Sequence, residues 1–290
     1  MTISNVEIGR VLVVGGGGRL GGLLRCAWRM AGQGGLVWQH RGAGDGPCFD
    51  ALTDAAAYAG AAAGADAILN LAGRVGGDVA ALAGHHDLAL AALEAGRTAG
   101  VARVFLASSA AVYGVPVGPA RESDPIAPVS DYGRAKAGME AAAHDWVAAH
   151  PDGPAVTCLR IGNVAGADQL LGAASGEGPQ MLDVFADGSG PARSYVGPMA
   201  LAGMLADLFA AQRAGRALPD LLNIALDGPV PMEALLAADG RAWRPRAAPA
   251  TLVREVTLDV ARLGAVLGPI PVADAAAIVA DLRQVSGPGA

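Results

Sequence analysis

Cysteine is scarce in this 290-residue chain: Cys26, Cys48 and Cys158 are odd in number and far apart. That set matches neither a disulfide framework nor a zinc pattern, so we expect no metal and a reduced, cytoplasmic setting. Positive charge is also thin. A net charge of −6, with no basic block, argues against a nucleic-acid partner. It leaves an anionic small ligand open, since such a ligand needs only local positive groups. Long apolar runs are missing. The longest charge-free stretch, Val104 to Ala120, contains Pro116 and several small polar residues, too broken to span a bilayer. The N-terminal residues run straight into a strand-like segment without a signal-peptide layout. These absences lead us to expect a soluble protein with no membrane partner. Aromatics make up only 4% of the residues, which leaves little to stack on a base. Much of the apolar half is alanine, which favours closely packed helices.

What is present alternates. "RVLVVG", "GLVWQH", "DAILNLAG", "ARVFLASS" and "AVTCLRIGN" read as strands, with Ala/Leu-rich helical stretches between them. A further strand is expected near Pro47–Leu52. Apolar runs without strong alternation, separated by helices, mean a parallel sheet covered on both faces. The expected architecture is an α/β, doubly wound parallel sheet of dinucleotide-binding type over residues 1–160. Residues 161–290 form a smaller substrate-binding lobe, with elements near 195–225 returning to the first domain. Past Gly162 the chain is rich in glycine, then helical from about residue 195. "RAWRPRAAP" is a Pro/Arg-rich stretch before two short terminal helices.

"VVGGGGRLGG", at Val13–Gly22, comes after a strand and opens a helix. It fits two registers, Gly15-x-x-Gly18-x-x-Gly21 and Gly16-x-Gly18-x-x-Gly21. Both place glycine where a Cβ would block the turn or hold a pyrophosphate off the helix N-terminus. Gly22 and Leu23 stand where a mononucleotide P-loop would carry Lys-Ser/Thr, which disfavours that motif. A dinucleotide site has an acid about 20 residues on, to bind the adenosine ribose. Here that place holds Gln39, His40 and Arg41. A carboxylate would repel a 2′-phosphate, whereas Arg41 can pair with one, so NADP is favoured and NAD is the alternative. Arg19 is a second phosphate-contact candidate.

"SSAAVYG" (108–114) ends a strand, and "DYGRAK" (131–136) opens a helix. Tyr132 and Lys136, four apart, share a helix face. A free tyrosine, pKa about 10, is a poor base at neutral pH. A nearby ammonium is expected to stabilise the phenolate, so that Tyr132 gives or takes a proton. Ser109 can hold a substrate oxygen.

Together with "LRIGNVAG" and "GSGPARSYVGPMALA", these pieces resemble the extended short-chain dehydrogenase/reductase family, the NAD(P)-dependent epimerase/dehydratase group, over about residues 10–205. The resemblance implies a Rossmann-type domain with a C-terminal substrate lobe. It makes Tyr132 the general acid/base, lets Lys136 bind the nicotinamide ribose, and has Ser109 orient the reacting group. It selects the register Gly15, Gly18 and Gly21 for the pyrophosphate and adds Leu20, Leu71, Ala72 and Gly73 to the cofactor cleft. Asp50 and Ala51 would lie by the adenine. Asn163 and Arg193 would meet the phosphates of a nucleotide-linked substrate. A homodimer through the helices before Ser109 and at Tyr132 is also implied.

Some positions depart from the pattern. Dehydratase members carry an Asp-Glu pair where this chain has Ala110 and Ala111, which disfavours dehydration. Asn70 and His85 replace a usual His and Asn. His85, His86 and Asp87 lack zinc-site spacing and read as capping or surface residues, as do His144 and His150. The second phosphate-gripping Arg has no clear match, with Arg244 and Arg246 the nearest. The reading favoured is an NADP(H)-dependent reductase or dehydrogenase acting on a sugar, sugar nucleotide or similar small molecule. The alternatives are an NAD-dependent nucleotide-sugar epimerase and a dinucleotide-sensing regulator without turnover.

Overall fold

The structure is a computed structural model and describes residues 6–42, 44–76, 79–172 and 179–286. Part of the Gly-rich stretch after Gly162, at 173–178, lies outside these residues. Its centre is a six-stranded sheet made of β1 (Val11–Val14), β2 (Leu36–Trp38), β3 (Ala67–Asn70), β4 (Arg103–Ser109), β5 (Ala155–Ile161) and, much later, β10 (Leu221–Ile224). The spatial order is β10-β5-β4-β3-β1-β2, and every pairing is parallel. Alternate residues of each strand feed two separate cores. Val11, Val13, Leu69 and Phe105 enter one, and Leu12, Val14, Ile68 and Leu106 the other. Both faces are dry, which is why the strands read as unbroken apolar runs.

Helices α1 (Arg19–Met30), α5 (Pro198–Arg213) and α8 (Ala275–Ser286) cover one face, and α2 (Ala55–Ala62), α3 (Val79–Ala99) and α4 (Asp131–Ala149) the other. Trp28 is buried, and its indole N–H donates to the Ala202 carbonyl at 2.9 Å, pinning α1 to α5. The N-terminus of α5 is capped from α8. The Asp281 carboxylate accepts from the Met199 and Ala200 amides at 2.7 and 3.0 Å. Among the described residues no helix is long and apolar enough to cross a membrane.

The strand expected near Pro47–Leu52 is reduced to a single bridge between His40 and Cys48. Pro47 has no amide to donate, and the Asp50 carboxylate accepts the Leu52 amide at 2.9 Å, turning the chain into α2 instead. Beyond β5 lie β6 (Asn163–Val164), β7 (Gln180–Val184), β8 (Ala192–Arg193) and β9 (Tyr195–Val196). After β10 come β11 (Val230–Pro231), α6 (Met232–Asp239), β12 (Trp243–Ala247), β13 (Glu255–Val256) and α7 (Ala261–Leu267). The Pro/Arg-rich stretch is strand β12, paired parallel with β7 in a two-stranded sheet, where Pro245 sits on an edge strand.

Candidate active site

The chain leaves β1 to build β2, then crosses back to start β3 on the other side, so a crevice opens at the carboxyl ends of β1 and β3. The glycine loop forms one wall. Gly15 holds φ +86°, and a Cβ there would lie 2.5 Å from the Ala72 amide nitrogen. A Cβ on Gly21 would come within 2.7 Å of the Gly16 backbone. Gly18 caps α1 with no side chain over the helix end, so first-turn amides stay open to the cleft. Gly15, Gly18, Arg19, Leu20 and Gly21 face Leu71 and Gly73 across a cleft of about 250 Å³ that ends at Tyr132 and Lys136. A smooth amide-lined wall at a helix N-terminus fits the pyrophosphate of a dinucleotide.

The expected neighbours of that loop are placed unequally. Arg19 donates to the Asp168 carbonyl across the cleft at 3.3 Å. Leu71 and Ala72 are held by β1 and by Asn70, through Leu71 N–H to Val14 and Ala72 N–H to Asn70 Oδ1. Gln39 does not line the cleft. It is 3% exposed, accepts the Gly15 amide at 3.2 Å and donates to the Phe49 carbonyl at 2.6 Å, so it braces the loop from below. Arg41 and Asp50 are exposed and Ala51 is buried, and none of the three lines the cleft.

Ser109, Tyr132 and Lys136 come together at the far end. Ser130 caps α4 by accepting the Gly133 amide at 3.0 Å. A Cβ on Gly133 would meet the Ala111 carbonyl at 2.5 Å, so glycine lets the helix seat on the turn Ala110–Tyr113 just past Ser109. Tyr132 is thereby brought beside Ser109, the two lining one cleft. Burial raises the Tyr132 pKa above the ordinary phenol value, and the interaction with Ser109 pulls it down. The expected lowering by an adjacent ammonium is not what the geometry delivers. Lys136 Nζ lies 5.8 Å from the Tyr132 ring centroid and donates to the Ala107 carbonyl at 2.6 Å. Lys136 is the only lysine in the sequence, is 4% exposed, and burial pushes its pKa down to about 8.

A second pocket, of about 310 Å³, opens on the other side of Tyr132. Ser109, Asn163 and Arg193 line it with Ala110, Ala111 and Val253. Asn163 pairs with Tyr195 between β6 and β9, and the Tyr195 hydroxyl donates to Asp168 at 2.7 Å. Arg193 donates to the Ala192, Arg254 and Val253 carbonyls at 2.7, 3.2 and 2.8 Å. Burial lowers its pKa, while Tyr195 and Glu255 raise it.

A model of the NAD dependent epimerase/dehydratase family matches residues 11–197. The chain belongs to that family. Among solved structures, MoeE5 in complex with UDP-glucose and NAD aligns with a TM-score of 0.74 at 22% identity, over 96% of this chain and 98% of that one. UDP-glucose 4-epimerase from Brucella ovis in complex with NAD gives 0.75 at 21%, over 93% and 96%. DesIV, a dTDP-glucose 4,6-dehydratase from Streptomyces venezuelae with NAD and TYD bound, gives 0.71 at 21%, over 96% and 97%. These likenesses establish the fold. No curated protein matches the chain.

Within this epimerase/dehydratase scaffold, several residues near the site differ from their reading in sequence. His85 is no surface residue. It is 3% exposed, edge-on to Tyr132 with ring centroids 5.8 Å apart, and Nε2 lies 2.8 Å from the Arg74 carbonyl. That acceptor puts the proton on Nε2. Burial, then Lys136, lowers the imidazole pKa to about 4, so it is neutral at physiological pH. His150 is half-buried and stacked on Trp146. His144 and His86 are exposed. A buried network is also absent from the sequence reading. Ser108 donates to Glu140 at 2.5 Å, and Arg160 grips Glu140 at 2.7 Å while stacking 4.7 Å from the Tyr113 ring. Tyr113 then donates to Asn223 on β10 at 2.7 Å, tying the strand under Ser109 to the edge of the sheet. Its signals in sequence are a lone arginine in an apolar strand and a glutamate one helical turn past Lys136.

Proposed function

We propose that the chain is an NADP(H)-dependent oxidoreductase interconverting a carbonyl and an alcohol, with Tyr132 as its proton carrier. The observation that carries this reading is the meeting of Ser109, Tyr132 and Lys136 where the cleft at the glycine loop meets the second pocket. A bound nicotinamide would supply or accept the hydride. Tyr132, held as the neutral phenol by burial, donates its proton to a carbonyl oxygen as the carbon is reduced. Ser109, which lines both pockets beside Tyr132, would hold that oxygen within reach of the phenol. In the oxidative direction the phenol must first ionise, which burial opposes and the interaction with Ser109 favours. Water elimination needs a second proton carrier. Among the described residues lining the second pocket none is a carboxylate, and Ala110 and Ala111 cannot move protons. NADP is kept in this reading because no acid follows β2, where Gln39 is turned under the glycine loop and the exposed Arg41 lies off the cleft.

Purified protein should consume NADPH or produce it with a carbonyl/alcohol pair. Tyr132→Phe should lose turnover by at least about a hundredfold, the usual contribution of a general acid, while keeping cofactor affinity. Near-normal turnover in that variant refutes the mechanism. A second reading, NAD-dependent epimerisation, is favoured by the NAD-bound epimerase that shares the fold. It predicts NAD retained through purification and no net cofactor consumption.

A further inference from the structure

Resting on the reading of the glycine-loop cleft as a dinucleotide site, we propose that Glu140 is a positioning residue for Lys136. It holds a buried carboxylate beside that side chain, so that Lys136 meets the dinucleotide as a cation. Spacing sets the placement. Tyr132, Lys136 and Glu140 stand four apart on α4, one helical turn each, and share a face. Each turn meets the end of β4. Tyr132 lines the cleft with Ser109, Lys136 Nζ donates to the Ala107 carbonyl at 2.6 Å, and Glu140 accepts the Ser108 hydroxyl at 2.5 Å. Ser108 stands opposite Arg160 in the pairing of β4 with β5. Arg160 donates to both Glu140 oxygens, from Nε at 3.1 and 3.2 Å and from Nη2 at 2.7 Å. Glu140, its side chain 10% exposed, is thus gripped by facing residues of two neighbouring strands, behind Ala107 and Ser108 of the cleft wall.

Stability alone does not call for a carboxylate at this place, since an apolar pair commonly replaces a buried ion pair at no loss. What the carboxylate adds is a charge facing a buried ammonium. Burial lowers the Lys136 pKa, while Cys158 and Glu140 raise it. The Cys158 thiol on β5, pushed by burial to about 12, carries no charge where Lys136 titrates, which leaves Glu140. The other titrating neighbours are neutral there. The His85 imidazole on α3 is held at about 4, and the Tyr132 phenol above its ordinary value. Arg160 is spent on Glu140, and Arg19 and Asp168 also line the cleft. With one of its three N–H donors on Ala107, the ammonium keeps two for a ligand in the cleft.

The test uses the chain's single lysine. Protein labelled with carbon-13 at lysine Cε gives one lysine NMR signal, whose pH titration reads the Lys136 midpoint without ligand or turnover. The wild-type midpoint is expected near pH 8. Glu140→Gln should lower it by about one unit or more, the effect of losing an opposite charge one helical turn away in a dry site. Because that variant strands Arg160, Glu140→Leu with Arg160→Met is measured beside it. No charge is then left unpaired, and the midpoint should still fall, by at least about half a unit. Cys158→Ala should not lower it. Equilibrium dialysis of NADP+ and NAD+ over the same pH range supplies the link to binding: the pH at which affinity drops should move down with the midpoint in the double variant. An unchanged midpoint in the double variant, an equal fall in Cys158→Ala, or an affinity profile that does not follow the midpoint overturns the proposal. Failure of the wild type to bind either dinucleotide refutes the cofactor reading instead, and the midpoint comparison still decides whether Glu140 sets the charge of Lys136.

Discussion

Lys136 is a charge held in a nearly dry site, and its burial has a measurable cost. Its pKa falls from 10.5 to about 8. At about 1.36 kcal/mol per unit, the folded state gives up ~3 kcal/mol to keep the ammonium at neutral pH. Lys136→Met removes that penalty, together with the hydrogen bond to the Ala107 carbonyl, worth about 1 kcal/mol. Proton counts set the sign of the pH dependence. Between about pH 8 and 10.5 the unfolded lysine is protonated and the folded one is not, so wild-type stability rises with pH there. The methionine variant lacks that rise. Its stability relative to wild type should therefore fall by about 2 kcal/mol from about pH 6.5 to about pH 9.5. Cys158, whose thiol burial pushes up to about 12, pulls the other way, but it is present in both proteins and largely cancels in the difference. With no other lysine in the chain, the window is unusually clean. Urea unfolding of both proteins at the two pH values, monitored by tryptophan fluorescence, gives the number. A difference that is constant or grows with pH refutes the buried-ammonium account.

Three further outcomes are expected. Gly15→Ala forces a Cβ into the Ala72 backbone at a φ of +86° and should weaken dinucleotide binding about tenfold, read by equilibrium dialysis. Glu140→Ala strands the Arg160 guanidinium in the core and should cost about 3–5 kcal/mol in urea unfolding, whereas Glu140→Leu with Arg160→Met recovers most of it. Asp281→Ala uncaps α5 at two amides and should cost about 1–2 kcal/mol, seen as a lower melting temperature.

The features legible in sequence are those set by local spacing. The sheet strands show because each is dry on both faces, the glycine loop because Gly15 and Gly21 occupy positions a Cβ would block, and Tyr132 with Lys136 because four residues is one helical turn. What stays hidden depends on partners distant in sequence. His85 reads as one of two adjacent histidines until α4 brings Tyr132 against its ring. Arg160 has no visible reason to sit in an apolar strand until Glu140 arrives from α4. The ammonium of Lys136 is aimed by the Ala107 carbonyl, which no pattern of side chains encodes. β12 is masked by Pro245, tolerable because only one neighbour strand pairs with it.

The central sheet is also completed late. β5 ends at Ile161 and its outer neighbour β10 starts at Leu221, with the first part of the lobe and all of α5 between. At a synthesis rate of about 5–20 residues per second, the edge of β5 is without its partner for roughly 3–12 s while the chain emerges. An open, apolar strand edge is the surface on which chains cross-pair. A fragment ending near residue 160 keeps the whole glycine loop and the Ser109, Tyr132 and Lys136 set, yet carries that edge permanently. Such a fragment is therefore expected to accumulate as aggregate, and slowed translation between the two strands would expose the full-length chain to the same fate.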